Sequence, residues 1–322
     1  MERNQGRTLR RQAVRSHHRR RRNHGSATAY EAAKLGKKVL LFEQFDLLHC
    51  LGSSHGESCT IRATYPESYY PPMVLESFRL WESAQSAAGY RVLVPTPQLD
   101  LGPGNNLSLQ FSIRNCGPNF VDARVTGGKE LPIQPLHTFI WYWKIKDGYK
   151  SAMSASAGFP TFASYGVPYI YGTPSMEFPG LIKIALHGGR ACDPDRRDWS
   201  GDGGEMVRQV TDWIERVMPD RIVTSGGPVI SQACMYSMTP DEDYVIDFIG
   251  GEFGNDVVVA GGFSGHGFKM GPLVGKILVE MAFDGEATTL TRIGVDVKAL
   301  FGLGRFAENS KGNVKEFEDQ VV

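Results

Sequence analysis

Little in this sequence of 322 residues points to disulfides, metal or membrane. Its five cysteines (Cys50, Cys59, Cys116, Cys192 and Cys234) are odd in number, scattered and without C-x-x-C spacing. That pattern argues against a disulfide framework or a zinc site and favours a reducing compartment. No apolar run of about 18 residues occurs, so no membrane-spanning helix is expected. An excess of one charge is lacking too, with 35 Lys+Arg against 35 Asp+Glu. This balance excludes a nucleic-acid protein driven by bulk charge and an acidic disordered chain. The last residues, Asp319 to Val322, form no S-K-L type peroxisomal tripeptide. What is abundant is hydrophobic residues at 41%, with 37 Gly and 18 Pro. This composition suits a loop-rich α/β protein of two domains or one large one.

The neutral charge is a composite. Residues 1–24 carry nine Arg and one Glu, a local charge of +8, so the remainder sums to −8. Such an arm reads as a solvated disordered segment, a transit peptide or a nucleic-acid arm. It holds a single Ser, which disfavours the transit peptide. Directly after it, Ser26 to Leu35 follows a helix pattern with small residues. Gly36 supplies a C-cap, and Val39-Leu40-Leu41-Phe42 forms a strand ending in Glu43. This is the second half of a βαβ unit, whose first strand and glycine turn belong where the arginines stand. Read one base later with permissive codons, residues 14–24 become Phe-Glu-Val-Ile-Ile-Val-Gly-Ala-Gly-Ile-Met, followed by Gly25. That text is a buried strand and a G-x-G-x-x-G turn, with an acidic residue 18 positions past the last glycine. A shifted reading frame and a genuine basic arm are the two accounts of the run. As it stands, Arg20 and Arg22 occupy two of the three glycine positions and only Gly25 remains.

Four further stretches accumulate: EQFDLLHCLGSSHGESCTIRATY at 43–65, GLIKIALHGGR at 180–190, CMYSMTPDEDYVID at 234–247 and DVVVAGGFSGHGFKM at 256–270. Together they resemble the sarcosine oxidase family of FAD-dependent amine oxidases, most closely the plant sarcosine/pipecolate-oxidase-like members. The resemblance covers most of residues 25–322 in order. It implies a discontinuous Rossmann-like FAD-binding domain and a substrate domain with a mixed β-sheet. Segments 25–82 and 237–300 would build the first and 89–236 the second. Residues 1–24 would be an aberrant arm and 301–322 a tail.

By the same resemblance, Glu43 holds the FAD ribose, and Gly25, Ser53 and Ser54 are cofactor-binding. Cys234 matches the cysteine joined covalently to the flavin. Gly261, Gly262, Gly265 and Gly267 let the backbone pass close to the ring. A helix carrying Leu273, Val274, Ile277, Leu278 and Met281 then aims its positive end there. Lys183 matches the lysine that activates oxygen, since a cation stabilises superoxide. Arg62 and Lys269 match the pair that clamps the substrate carboxylate. Tyr171, His187 and His266 match polar residues of the substrate pocket. Taken singly, each of these has a plain structural alternative: a core cysteine, a surface lysine, a satisfied core histidine.

The implied reaction oxidises a secondary amino acid such as sarcosine or pipecolate to an imine. Electrons pass to the flavin and then to oxygen, giving hydrogen peroxide. The partners implied are an amino acid and oxygen, with no nucleic acid, membrane or metal. The resemblance also implies a monomer placed in peroxisome or cytoplasm.

Two departures stand out. Cys59 occupies the place where the family's S-H-G-[DE]-[ST]-R stretch ends in arginine. From about Val121 the text then passes almost directly to Leu131, where the family has a long segment with a strand–helix piece and a G-A-W turn. Losing it exposes sheet edges and removes cofactor contacts, so weak FAD binding and impaired activity are expected. The alternative from another class is a non-catalytic remnant acting as a binding or regulatory protein. An Arg-armed nucleic-acid binder rests wholly on residues 1–24.

Overall fold

The computed structural model describes residues 14–16, 23–41, 54, 58–103, 105–115, 133–193, 203–251 and 254–315. In chain order the elements are β1 (Val14–Ser16), α1 (Asn23–Lys34), β2 (Val39–Leu41), α2 (Tyr70–Ala88), β3 (Gln98–Leu101), α3 (Leu107–Asn115) and β4 (Gln134–Lys144). Then follow β5 (Thr161–Ser164), β6 (Ile170–Thr173), β7 (Leu181–Leu186), β8 (Arg190–Ala191), α4 (Glu205–Val217), β9 (Ile230–Met238), β10 (Val245–Phe248) and β11 (Val258–Gly261). The chain closes with α5 (Gly271–Asp284), α6 (Thr288–Arg292), α7 (Val297–Phe301) and α8 (Arg305–Glu308).

A βαβ unit opens the chain. β1 pairs in parallel with β2, Val14 opposite Val39, and α1 is the crossover between them. The first strand thus forms from the residues as they stand, inside the arginine-rich stretch. Gly36 has φ +68, and its N–H donates to the Ala33 carbonyl at 2.9 Å, closing α1. Gly25, Thr28 and Ala32 lie buried on one face of α1. That face meets α5 closely, because a methyl group added at Gly275 would stand 2.5 Å from the Ala27 carbonyl carbon. Small residues here are a packing requirement of the helix pair.

The larger sheet has seven strands in the order β3-β5-β6-β7-β4-β8, with β9 on the other edge of β4. β3 and β5 run parallel and the other pairs antiparallel, so the sheet is mixed. β4 is its spine, pairing with β9 over nine residues from Gln134↔Met238 to Tyr142↔Ile230. Its continuous aromatic text, Phe-Ile-Trp-Tyr-Trp, is that of a strand covered on both faces. Trp141 and Trp143 are fully buried. The amphipathic α4 lays Met206, Val210, Trp213 and Ile214 against this sheet to complete one core.

A second core is helical, with Leu273, Val274, Ile277 and Leu278 of α5 packed on Tyr70, Met73 and Val74 of α2 and on Phe301 of α7. The short β10–β11 ribbon lies beside it. Residues 301–315 form no loose tail. Arg305 is fully buried and Phe306 nearly so, and Asn313 and Lys315 make long-range bonds. Helices of four or five residues leave no periodicity in sequence, which is why the stretch read as a tail.

Candidate functional site

The site collects residues from the strand ends of the mixed sheet, the segment before α2 and the glycine-rich loop before α5. Arg62 lies among phenols. Its Nη1 donates to Tyr165 Oη at 3.0 Å and its Nη2 to Tyr169 Oη at 3.0 Å. Further bonds run to the Thr64 carbonyl and hydroxyl. The guanidinium also stands 4.9 Å from the Tyr65 ring centroid. From the other side, Lys269 Nζ stands 5.0 Å from that centroid and donates to Tyr65 Oη at 2.7 Å. Two basic side chains therefore bracket one buried tyrosine, and no carboxylate is ion-paired with either among the described residues. Burial, and then the Arg62 charge, holds the Lys269 ammonium well below the usual lysine range, with the Cys59 thiol opposing.

His266 stands behind Tyr65. Its Nε2 lies 3.0 Å from the Glu242 carbonyl, which only accepts, so Nε2 carries the proton and Nδ1 is the acceptor. Tyr65 Oη donates to that Nδ1 at 3.2 Å. Tyr244 Oη lies 3.0 Å from the same nitrogen and donates to the His266 carbonyl at 3.1 Å. Burial, then the Lys269 charge, drives the imidazole well below its usual range, so it is neutral. The line Lys269 to Tyr65 to His266 to Glu242 carbonyl thus has one direction of donation. His187, just past β7, has its ring 5.2 Å from Tyr169 and 5.4 Å from Tyr236. It is lowered to about 4 by burial and by the Arg62 and Lys269 charges, so it too is neutral.

Lys183 on β7 is buried with Glu177. Its Nζ donates to the Ser58 carbonyl at 3.1 Å, to Ser58 Oγ at 2.5 Å and to Glu177 Oε1 at 3.1 Å, which uses all three ammonium protons. Ser58 Oγ in turn donates to Glu177. Tyr171 and Tyr236 are hydrogen-bonded to each other, and the thiols of Cys234 and Cys59 lie close enough to act on both hydroxyls. Cys234 is 4% exposed on β9, opposite Thr138. Cys59 is exposed by surface area, yet burial raises its thiol against the pull of Lys183 and Lys269. Both hold for a thiol in a recess: water reaches it, and protein atoms surround it. Burial outweighs the two ammonium groups in setting its titration.

The sequence-predicted residues Arg62, Lys269, Lys183, Tyr171, His187, His266 and Cys234 thus gather around one region. Gly265, at φ +76, faces Tyr236, whose ring a methyl group there would meet at 2.6 Å. Gly261 is different, since a methyl group there would find only Ile133 Cδ1, at 3.9 Å. Ser54 is half-buried, while Glu43 and Ser53 lie outside the described residues. Residues that motif reading missed are Tyr65, Tyr165, Tyr169, Tyr236, Ser58 and Glu177. Dense tyrosines at 165, 169 and 171 were the available signal, because a core seldom needs that many hydroxyls.

The parallel β1–β2 pair, the crossover helix with Gly25 buried in its first turn and the open side of Gly261 all fit FAD. The turn between β1 and α1 lies outside the described residues. By sequence it carries Arg19 to Arg22 where two glycines are needed.

These features define a flavin-type oxidoreductase fold. Residues 113–281 match the FAD dependent oxidoreductase family DAO. The chain is 42% identical to a "Probable sarcosine oxidase" of Arabidopsis thaliana over 397 aligned positions, covering 92% of this chain and 94% of that protein. It is 28% identical to the peroxisomal sarcosine oxidase of Homo sapiens, over 80% of this chain and 89% of that one. Among solved structures, NikD, an unusual amino acid oxidase, superposes with a TM-score of 0.64 at 14% identity, covering 88% and 95% of the two chains. The L-proline dehydrogenase from P. horikoshii superposes with a TM-score of 0.59 at 17% identity, covering 82% and 91%. This chain belongs to the sarcosine-oxidase-like FAD-dependent oxidoreductases. Since 92% of 322 residues is about 296, about a hundred of the 397 positions aligned with the Arabidopsis relative have no counterpart here.

Proposed function

We propose that this chain derives from an oxidase of secondary amino acids, of the N-methylglycine or pipecolate type, that yields an imine and hydrogen peroxide. The observation carrying this reading is the placement of buried Lys269 and half-buried Arg62 about Tyr65, two basic side chains without an ion-paired carboxylate among the described residues. Burying positive charge unpaired is costly, and a substrate carboxylate is the anion that would offset it. FAD, when bound, supplies the two-electron acceptor for such a reaction.

The chain's own residues do the rest. Arg62, fixed by Tyr165 and Tyr169, presents a planar fork to the carboxylate. Neutral His187 and the Tyr169–Tyr236 wall enclose the amine without adding positive charge. Lys183, held on Ser58 and Glu177, is the cation assigned to oxygen. Cys234 is assigned to covalent flavin attachment, and Glu43, Ser53, Ser54, Gly25 and the glycines of 261–267 to holding the cofactor. We place the protein as a monomer, in peroxisome or cytoplasm. No helix among the described residues is long and apolar enough to cross a membrane.

Impairment is part of the proposal. Arginines in the phosphate turn deny the close backbone approach that glycine permits, and the roughly hundred absent positions remove contacts. The chain is expected to hold FAD weakly, which favours the second reading of a non-catalytic remnant. Purification followed by gel filtration tests this, with flavin absorbance and peroxide release on N-methylglycine and pipecolate as readouts. A yellow stoichiometric holoenzyme refutes the impairment. Weak binding that FAD saturation turns into peroxide release supports the descent and rejects the remnant. Acid precipitation that leaves all flavin in the supernatant rejects the bond to Cys234.

A further inference from the structure

We propose that Lys269 receives an amino acid as a neutral amine and takes the ligand's ammonium proton, so that the lysinium holding the carboxylate is made by the substrate itself. This rests on the reading of Arg62 and Lys269 as a carboxylate clamp.

The surroundings of Lys269 carry the argument. Arg62, Cys59 and Tyr65 face it from the segment before α2, His266 from its own glycine-rich loop, and His187 from the end of β7. From α2, Ser77 and Trp81 donate to the Lys269 carbonyl at 2.5 and 3.1 Å and bring no charge. The fixed positive charge among these is Arg62, across the Tyr65 ring, and no ion-paired carboxylate opposes it among the described residues. Both histidines are neutral. Lys269 itself is buried, and a second full charge on it lacks compensation until an anion arrives. Burial and Arg62 both act in this sense on the Lys269 ammonium.

Tyr65 completes the arrangement. Its proton is committed to His266 Nδ1, so its oxygen accepts from Lys269 and gives that nitrogen no proton. A zwitterionic amino acid brings both missing parts, a carboxylate and a proton on nitrogen. The N–H bond of the ligand ammonium breaks, its electron pair stays on the ligand nitrogen, and the proton binds the Lys269 Nζ lone pair. The ligand amine is then neutral, as loss of hydride from the adjacent carbon requires, and Lys269 is the cation that pairs with the carboxylate. Charge and protons balance with no contribution from solvent.

The test compares two ligands by titration calorimetry of the purified full chain in buffers of different ionisation enthalpy. Methoxyacetate offers the carboxylate with no ammonium. N-methylglycine offers both and is titrated anaerobically after dithionite reduction, so that no oxidation follows. Methoxyacetate binding should take up about one proton from solvent, and its affinity should fall roughly tenfold per pH unit once Lys269 is neutral. N-methylglycine should bind with no net uptake across the same range. Lys269→Arg, permanently charged, should bind methoxyacetate with no uptake and no slope. Methoxyacetate binding to the wild-type chain without uptake overturns the inference and leaves the clamp standing. Equal uptake with both ligands also overturns it, since the amino acid then keeps its proton. Failure of both ligands to bind refutes the clamp itself, and the inference with it.

Discussion

Arg305→Met is expected to be among the most destabilising substitutions outside the two cores. Arg305 and Asp241 are both fully buried at the side chain, with Nε and Nη2 donating to the two carboxylate oxygens at 2.6 and 3.0 Å. The same guanidinium donates to the Asp243 carbonyl at 3.2 Å and the Gly302 carbonyl at 3.3 Å. Methionine fills similar volume but leaves the Asp241 carboxylate facing only the backbone N–H groups of Asp243 and Asn313. Breaking a buried pair from one side costs about 3–5 kcal/mol, chiefly because the remaining charge has lost its partner. The two N–H donors keep the loss toward the lower end of that range. Urea unfolding at neutral pH measures it, and a cycle with Asp241→Asn separates the pair from general damage. In the double variant neither charge is left alone, so a coupling of about 2 kcal/mol is expected. A loss under about 1 kcal/mol for Arg305→Met, or additivity within about 0.5 kcal/mol, would refute the reasoning.

Three further outcomes follow from the geometry. Glu242 is raised to about 7, first by burial and then by Glu67, Asp243 and Asp241 against Lys315. The native state therefore binds more protons than the unfolded chain between about pH 4.5 and 7, and this contribution to stability is lost as pH rises through that window. Glu242→Gln, with no charge to bury, should gain about 1–2 kcal/mol over wild type at pH 8 and nothing near pH 4; equal effects at both pH values would reject this. Tyr65→Phe removes the acceptor for Lys269 and the donor to His266, and should weaken methoxyacetate binding roughly tenfold. Unchanged affinity would show that Tyr65 is mere packing. Gly275→Ala drives a methyl group into the Ala27–Thr28 backbone and should cost about 1–3 kcal/mol in thermal or urea melts. No loss would mean that α1 and α5 part freely.

Much of the fold could be read from text because its signals are local. The small-residue helix ending at Gly36, the strand at 39–41 and the aromatic run of β4 each announce themselves within a dozen residues. β6 begins only at Ile170, since Pro168 just before it lacks a ladder donor. Pairing order was not legible, since nothing in β4 says that it meets β7, β8 and β9 at different points. In the site, motif text located the charged and sulfur-bearing residues. It missed Tyr65, Tyr165, Tyr169 and Glu177, whose roles exist only through partners about a hundred or two hundred positions away, apart from the local pair Glu177–Lys183. The hold of Arg305, Asn313 and Lys315 on the Asp241–Tyr244 loop was hidden for the same reason.

β9 has a further consequence. It is laddered to β4 for nine residues and runs directly into Thr239–Tyr244, whose carboxylates bind Arg305, Tyr69, Tyr70, Asn313 and Lys315. One continuous stretch is therefore rooted in the sheet at one end and in the helical core at the other. The two cores should open to solvent as a single cooperative unit, with amides deep in β4 and in α5 sharing one exchange free energy. Along this stretch of the described residues the two halves are tied together, which favours ligand entry by local motion of loops and side chains.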